Sequence, residues 1–128
     1  MTEQEFKDRT KQVALRIVRV VEALASTRTA DVIGKQLLRS GTSVGANYRA
    51  ACRGRSPADV IAKLGSVEEE TDESIYWLEL LIESGTLPAN RLSDLMDELN
   101  QILAMVVASQ KTLRAQIQTP RSKTKNLS

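Results

Sequence analysis

The sequence predicts an all-α protein, an antiparallel up-down-up-down four-helix bundle, and three observations predict it. Apolar residues recur at alternating steps of three and four through four successive segments, which gathers them onto one face of each helix. With six glycines, three prolines and 3% aromatic residues, the chain lacks the turn-forming residues and aromatics of a β-sandwich or barrel. The polar breaks between segments are a few residues long, so consecutive helices must fold back on one another. The 128 residues suit one domain, read as a bundle over 1–118 and a basic tail, expected to be disordered, over 119–128.

Helix one is expected at about 3–25, with Phe6, Thr10, Val13, Ile17, Val20 and Leu24 on one face and Thr2 with Glu5 as a capping box. Ser26 to Thr29 makes the first break. Helix two, about 29–52, carries Ile33, Leu37, Ser40 or Gly41, Val44, Tyr48 and Ala51. Its apolar stripe is lean, and Gly41, Gly45, Ala46, Ala50 and Ala51 point to close approach by a neighbouring helix. The clearest local signal is Ser56, Pro57 and Asp59. A serine accepts from orphan amides, a proline suits the first helical position and an acid suits the positive helix end. Helix three, about 57–84, runs through Val60, Leu64, Val67, Thr71, Ile75, Leu78 and Ile82, and Gly85 stops it. Pro88 opens helix four, about 88–117, with Leu92, Leu95, Leu99, Ile102, Val106 and Leu113.

Composition then excludes chemistry. Without histidine and with Cys52 as the one cysteine, the chain offers no Ser-His-Asp or Cys-His catalysis, no Glu-x-x-His di-iron site, no His-ligated zinc and no intrachain disulfide. No metal, cofactor or enzymatic activity is expected. The longest apolar run, Ile102 to Ala108, is seven residues, against roughly 20 needed to span a bilayer. The charged N-terminus is no signal peptide. A cytoplasmic protein without a membrane partner is expected, with Cys52 reduced.

Two features exceed what a lone bundle needs. Seven of the eight residues Ile75–Ile82 are apolar and point all round the helix, whereas one core needs one stripe. The surplus at Tyr76, Trp77, Leu80 and Leu81 is expected to be covered by other copies of the chain; the alternative is that a wide central helix uses the full face internally. Glu68–Glu73 holds five acids in six positions. If helices two and three fold back around residue 55, Arg39 falls beside Glu68 and Asp72 in an Arg–carboxylate network. A solvated acidic face and a metal site through Glu69, Asp72 and Glu73 are the other readings.

Charge is sorted along the chain although the net charge is only +2. Between Arg28 and Arg55 six basic residues face the single acid Asp31; after Glu98 five face none. In an antiparallel bundle both basic stretches meet at one end, making Arg49, Arg53, Arg55, Lys111 and Arg114 candidates for contacts to an RNA or DNA phosphate backbone. The other reading is that these charges only keep the surface solvated. The few aromatics sit on apolar stripes, so binding would be phosphate-driven and poorly sequence-specific.

The stretch QLLRSGTSVGANYRAACRGRS, Gln36 to Ser56, resembles the four-helix-bundle proteins of the 23S rRNA intervening-sequence family, in which Gln-x-x-Arg and Ser-Val/Ile-x-x-Asn lead into a basic turn ending in Arg-x-Ser. YWLELL, Tyr76 to Leu81, is similar to that family's third helix, and the likeness covers about residues 10–115. The resemblance implies an antiparallel bundle assembling as a homopentamer. It marks Gln36, Arg39, Ser43, Asn47, Arg55 and Ser56 as signature residues, Asn47 being expected to make an interhelical hydrogen bond. Ala50 departs from the glutamate that many members carry, which alters any polar network using that carboxylate. Accessory proteins of diversity-generating retroelements share the architecture and bind nucleic acid and a reverse transcriptase. A protein-binding scaffold that recruits such a polymerase is therefore the alternative function.

Overall fold

Three of the four helices begin where a side-chain hydroxyl can hold an orphan amide. Thr2 Oγ1 accepts from the Glu5 amide (3.1 Å) and opens α1 (Glu3–Glu22). Thr27 Oγ1 accepts from Ala30 (3.1 Å) and opens α2 (Arg28–Cys52). Ser56 Oγ accepts from Asp59 (3.1 Å) and opens α3 (Pro57–Glu83), with Pro57 at its head. The fourth helix, α4 (Ala89–Leu127), follows Pro88. This computed structural model describes the side chains of residues 1–118. The side chains of the basic tail expected at 119–128 lie outside the described residues, and α4 runs on to Leu127, past the end expected for it at about 117.

Local signals also end the helices. Gly85 adopts φ +76°, and the Thr86 amide reaches back to the Leu81 carbonyl (3.0 Å), which closes the last turn of α3 in the left-handed geometry glycine tolerates. The first helix ends at Glu22 instead of about 25, because Thr27 must turn extended (φ −121°, ψ 160°) to cap α2. Leu24, expected on the first helical stripe, therefore lies in the connection, yet still packs against the core. The capping box at Thr2 is half made: Glu5 is exposed, and it is Glu3 that pairs across the first turn, with Lys7 (3.2 Å).

Contacts run in reverse order along neighbouring helices. From one end to the other, α1 meets α2 through Phe6 and Tyr48, Thr10 and Gly45, Ile17 and Gly41, and Leu24 and Gly34. Against α4, Arg9 meets Glu98 while Val20 lies with Leu87 and Leu92. Each helix packs on the next, and α4 closes on α1, the pair that touches least. Among the described residues no helix is long and apolar enough to cross a membrane.

The core takes one stripe from each helix. Val13, Ile17, Leu37, Val44, Val67, Leu78, Leu81, Leu99 and Ile102 are wholly shielded from solvent. The small residues of α2 let α1 ride low on it. A Cβ on Gly41 would overlap Ile17 Cδ1, and one on Gly45 would lie 3.1 Å from Thr10 Oγ1. Buried hydroxyls are satisfied locally: Thr71 donates to the Val67 carbonyl (2.7 Å), and the Ser74 hydroxyl lies 2.9 Å from Ser40 Oγ and 2.8 Å from the Glu70 carbonyl. Of α3's apolar surplus, Leu81 is fully buried within its own bundle and is withdrawn from the expected subunit interface. The helix turns Leu81 inward beside Leu78 and leaves the opposite side to Tyr76.

Candidate nucleic-acid interface

One end of the bundle gathers the start of α1, the end of α2, the start of α3 and a late turn of α4. Glu3, Tyr48, Cys52, Val60, Leu64 and Ser109 line a single hollow of about 300 Å³ there. Lys111 and Arg114 follow Ser109 by two and five residues and are exposed. Arg53 caps the C-terminus of α2, and Arg55 lies in the turn just after it, both exposed. The two basic stretches therefore share this end. Arg55 is tethered through its backbone, its amide donating to Asp59 Oδ2 (3.0 Å). Lys63 Nζ donates to that same oxygen (2.8 Å), and these two bonds, the lysine's first, hold the Asp59 carboxyl below its ordinary range.

Arg49 sits away from the end face, on the flank. With Gln4, Lys7, Asp8, Thr10, Lys11, Ala14, Thr42, Gly45 and Ala46 it lines a hollow of about 340 Å³ between α1 and α2. A second hollow, about 360 Å³, is lined by Lys7, Ala46, Arg49 and Arg53. Sequence reasoning missed Lys7 and Lys11, because Glu3, Glu5 and Asp8 mask them in any count taken along the chain. Their four-residue spacing, which puts both on one helical face, was the available signal.

The acidic run divides between two neighbours. Arg39 Nη1 pairs with Glu70 (3.2 Å) and its Nη2 with Glu73, so the Arg–carboxylate network exists with partners other than Glu68 and Asp72. Glu68 instead accepts from Gln110 Nε2 on α4 (2.7 Å), and Asp72 and Glu69 are exposed. The level along the helix matches, since Glu70 and Glu73 bracket position 71; the rotation of α3 about its axis is what differs. Among the described residues no group of three His, Cys, Asp or Glu side chains is placed to hold a metal ion.

The signature residues now have physical roles. Gln36 Oε1 accepts from Arg39 Nε (3.3 Å) and steadies the guanidinium over the α3 acids. Ser43 donates back to the Arg39 carbonyl (2.6 Å), and Ser56 caps α3. Asn47 is a correction: it is only half-buried, and its amide makes no hydrogen bond among the described residues. An amide that keeps access to water needs no interhelical partner.

Tyr76 is 52% exposed, and its ring meets the neighbouring Trp77 edge-on at 5.1 Å. Trp77 and Leu80 are half-buried, and the indole N–H is enclosed without an acceptor among the described residues. Burial pushes the pKa of the half-buried Cys52 thiol up. Burial likewise raises the pKa of Tyr48 beside it.

The model of the family described as 23S rRNA-intervening sequence protein matches residues 2–108. Among solved structures, the chain is similar to a protein with unknown function from the S23 ribosomal protein family of Bacteroides thetaiotaomicron VPI-5482. The two are 35% identical, with a TM-score of 0.80, and the match covers 87% of this chain and 99% of that one. No curated protein matches.

Proposed function

Because the chain belongs to the 23S rRNA-intervening sequence protein family, we propose that it is a non-enzymatic, homo-oligomeric cytoplasmic bundle protein that associates with RNA or other nucleic acid through its basic end. The observation that carries this reading is the meeting of Arg53, Arg55, Lys111 and Arg114 at one end of the bundle, with Arg49 alongside on the flank. Positive charge gathered on one surface attracts a polyanion, whatever the net charge of the chain. Five copies, the number the resemblance implies, would multiply the effect by presenting several such ends to one polymer. Retention of RNA at about 50 mM salt tests the reading, since phosphate contacts are strongest at low ionic strength. Binding that weakens steeply as salt rises is expected; no binding at low salt ends it.

A second reading is a scaffold that recruits a protein such as a polymerase or reverse transcriptase. The exposed ring of Tyr76 favours it, because a partner's surface would cover the apolar face and engage the phenol hydroxyl. A copurifying protein that survives nuclease treatment, with no nucleic acid present, would select this reading over the first.

A further inference from the structure

We propose that the groove between α1 and α2 is the track along which a nucleic-acid phosphodiester backbone lies, with Lys11, Arg49 and Arg53 as its principal cations. This rests on the nucleic-acid reading above and carries its site from the end of the bundle onto the flank. The two hollows there share Lys7, Ala46 and Arg49, so they form one continuous groove. Its floor is small and uncharged: Ala14, Gly45 and Ala46, with the Thr42 hydroxyl beside them. The floor lies low because α1 and α2 approach closely at Thr10 and Gly45. Each bank carries two cations four residues apart, Lys7 and Lys11 on one side and Arg49 and Arg53 on the other. That spacing is a rise of about 6 Å along each helix axis.

Neutralising acids are few. Glu3 engages Lys7 (3.2 Å), which makes that lysine the weakest of the four. Asp8, the acid lining the groove, accepts from Gln4 Nε2 (3.0 Å). Among the described residues no ion pair engages Lys11, Arg49 or Arg53. Cations around a concave, low-dielectric floor focus positive potential on whatever enters. No aromatic ring and no large apolar side chain lines the groove. It therefore offers no base-stacking platform and no seat for an amphipathic helix, and suits a repeating anion recognised without regard to sequence.

The test uses the full chain, a fluorescent oligouridylate and anisotropy titrations between about 50 and 200 mM salt. The Lys11→Gln/Arg49→Gln double variant is expected to bind on the order of tenfold more weakly, with a log–log salt slope lower by roughly 1.4. Lys11→Arg/Arg49→Lys keeps the charges and is expected to retain binding, which separates lost charge from damaged packing. Arg19→Gln/Arg91→Gln removes the same charge at the opposite end of the bundle and is expected to bind as the unaltered protein does. If the groove variant binds normally, or the far-end variant weakens equally, the track is overturned while nucleic-acid binding stands. Competition by polyglutamate as effective as by RNA overturns it in favour of an acidic peptide. Failure of the unaltered protein to bind removes both readings together.

Discussion

Gly41 shows how much of this fold depends on a missing methyl group. A Cβ there would collide with Ile17, which is wholly buried and cannot swing away. Gly41→Ala is expected to destabilise the protein by about 1–3 kcal/mol, the usual range for overpacking. Gly65 is the control, because an added Cβ there meets nothing nearer than Gln110 Oε1 at 3.9 Å. Gly65→Ala is expected to stabilise by up to about 1 kcal/mol through helix propensity, and urea denaturation of both variants distinguishes the signs. The Arg9–Glu98 pair makes a pH-dependent contribution. Arg9 Nε and Nη2 grip the two carboxylate oxygens at 2.8 and 2.6 Å, and those hydrogen bonds hold the Glu98 carboxyl below its ordinary pKa. A carboxyl lowered on folding stabilises fully above its unfolded pKa and loses that contribution as pH falls through the folded value. Glu98→Gln is expected to cost about 1 kcal/mol at neutral pH. Denaturation midpoints of the two proteins are expected to converge in acid, below the ordinary glutamate range.

Between α2 and α3 the chain reverses through residues 53–56, and the Ser56 hydroxyl and the Asp59 carboxylate share the work of holding that corner. Ser56→Ala is expected to cost about 1 kcal/mol by chemical denaturation, since Asp59 and Lys63 remain to brace the turn. This corner was legible in the sequence because capping is local: Ser56, Pro57 and Asp59 carry their meaning within four residues. The apolar stripes were legible for the same reason, and they placed four helices with their starts within one residue. Rotation of α3 about its axis was not legible. A stripe broad enough to be apolar nearly all round does not say which of Leu80 and Leu81 faces inward, nor whether Arg39 meets Glu68 and Asp72 or Glu70 and Glu73. The flank cations were hidden for a related reason. Lys7 and Lys11 gain significance only from Arg49 and Arg53 across the groove, more than 35 positions away in the chain.

Assembly decides what becomes of the surface that α3 leaves bare. Tyr76 is half-exposed and anchors no part of the core, so replacing it tests association without emptying the interior. For the self-associating bundle proposed above, light scattering of the purified chain is expected to give a multiple of 14.1 kDa. Tyr76→Glu is expected to shift that mass toward a single subunit while the far-ultraviolet helical signal persists. A full mass in the variant would move the contact between copies to another face. The bundle is also unevenly closed. Three of its seams are stitched along their length, and the fourth, where the first and last helices meet, is little more than buttoned by Arg9 and Glu98. Breathing motions take the cheapest opening. Deuterium should thus reach the backbone amides of α1 and α4 before those of α2 and α3, which are flanked tightly on both sides.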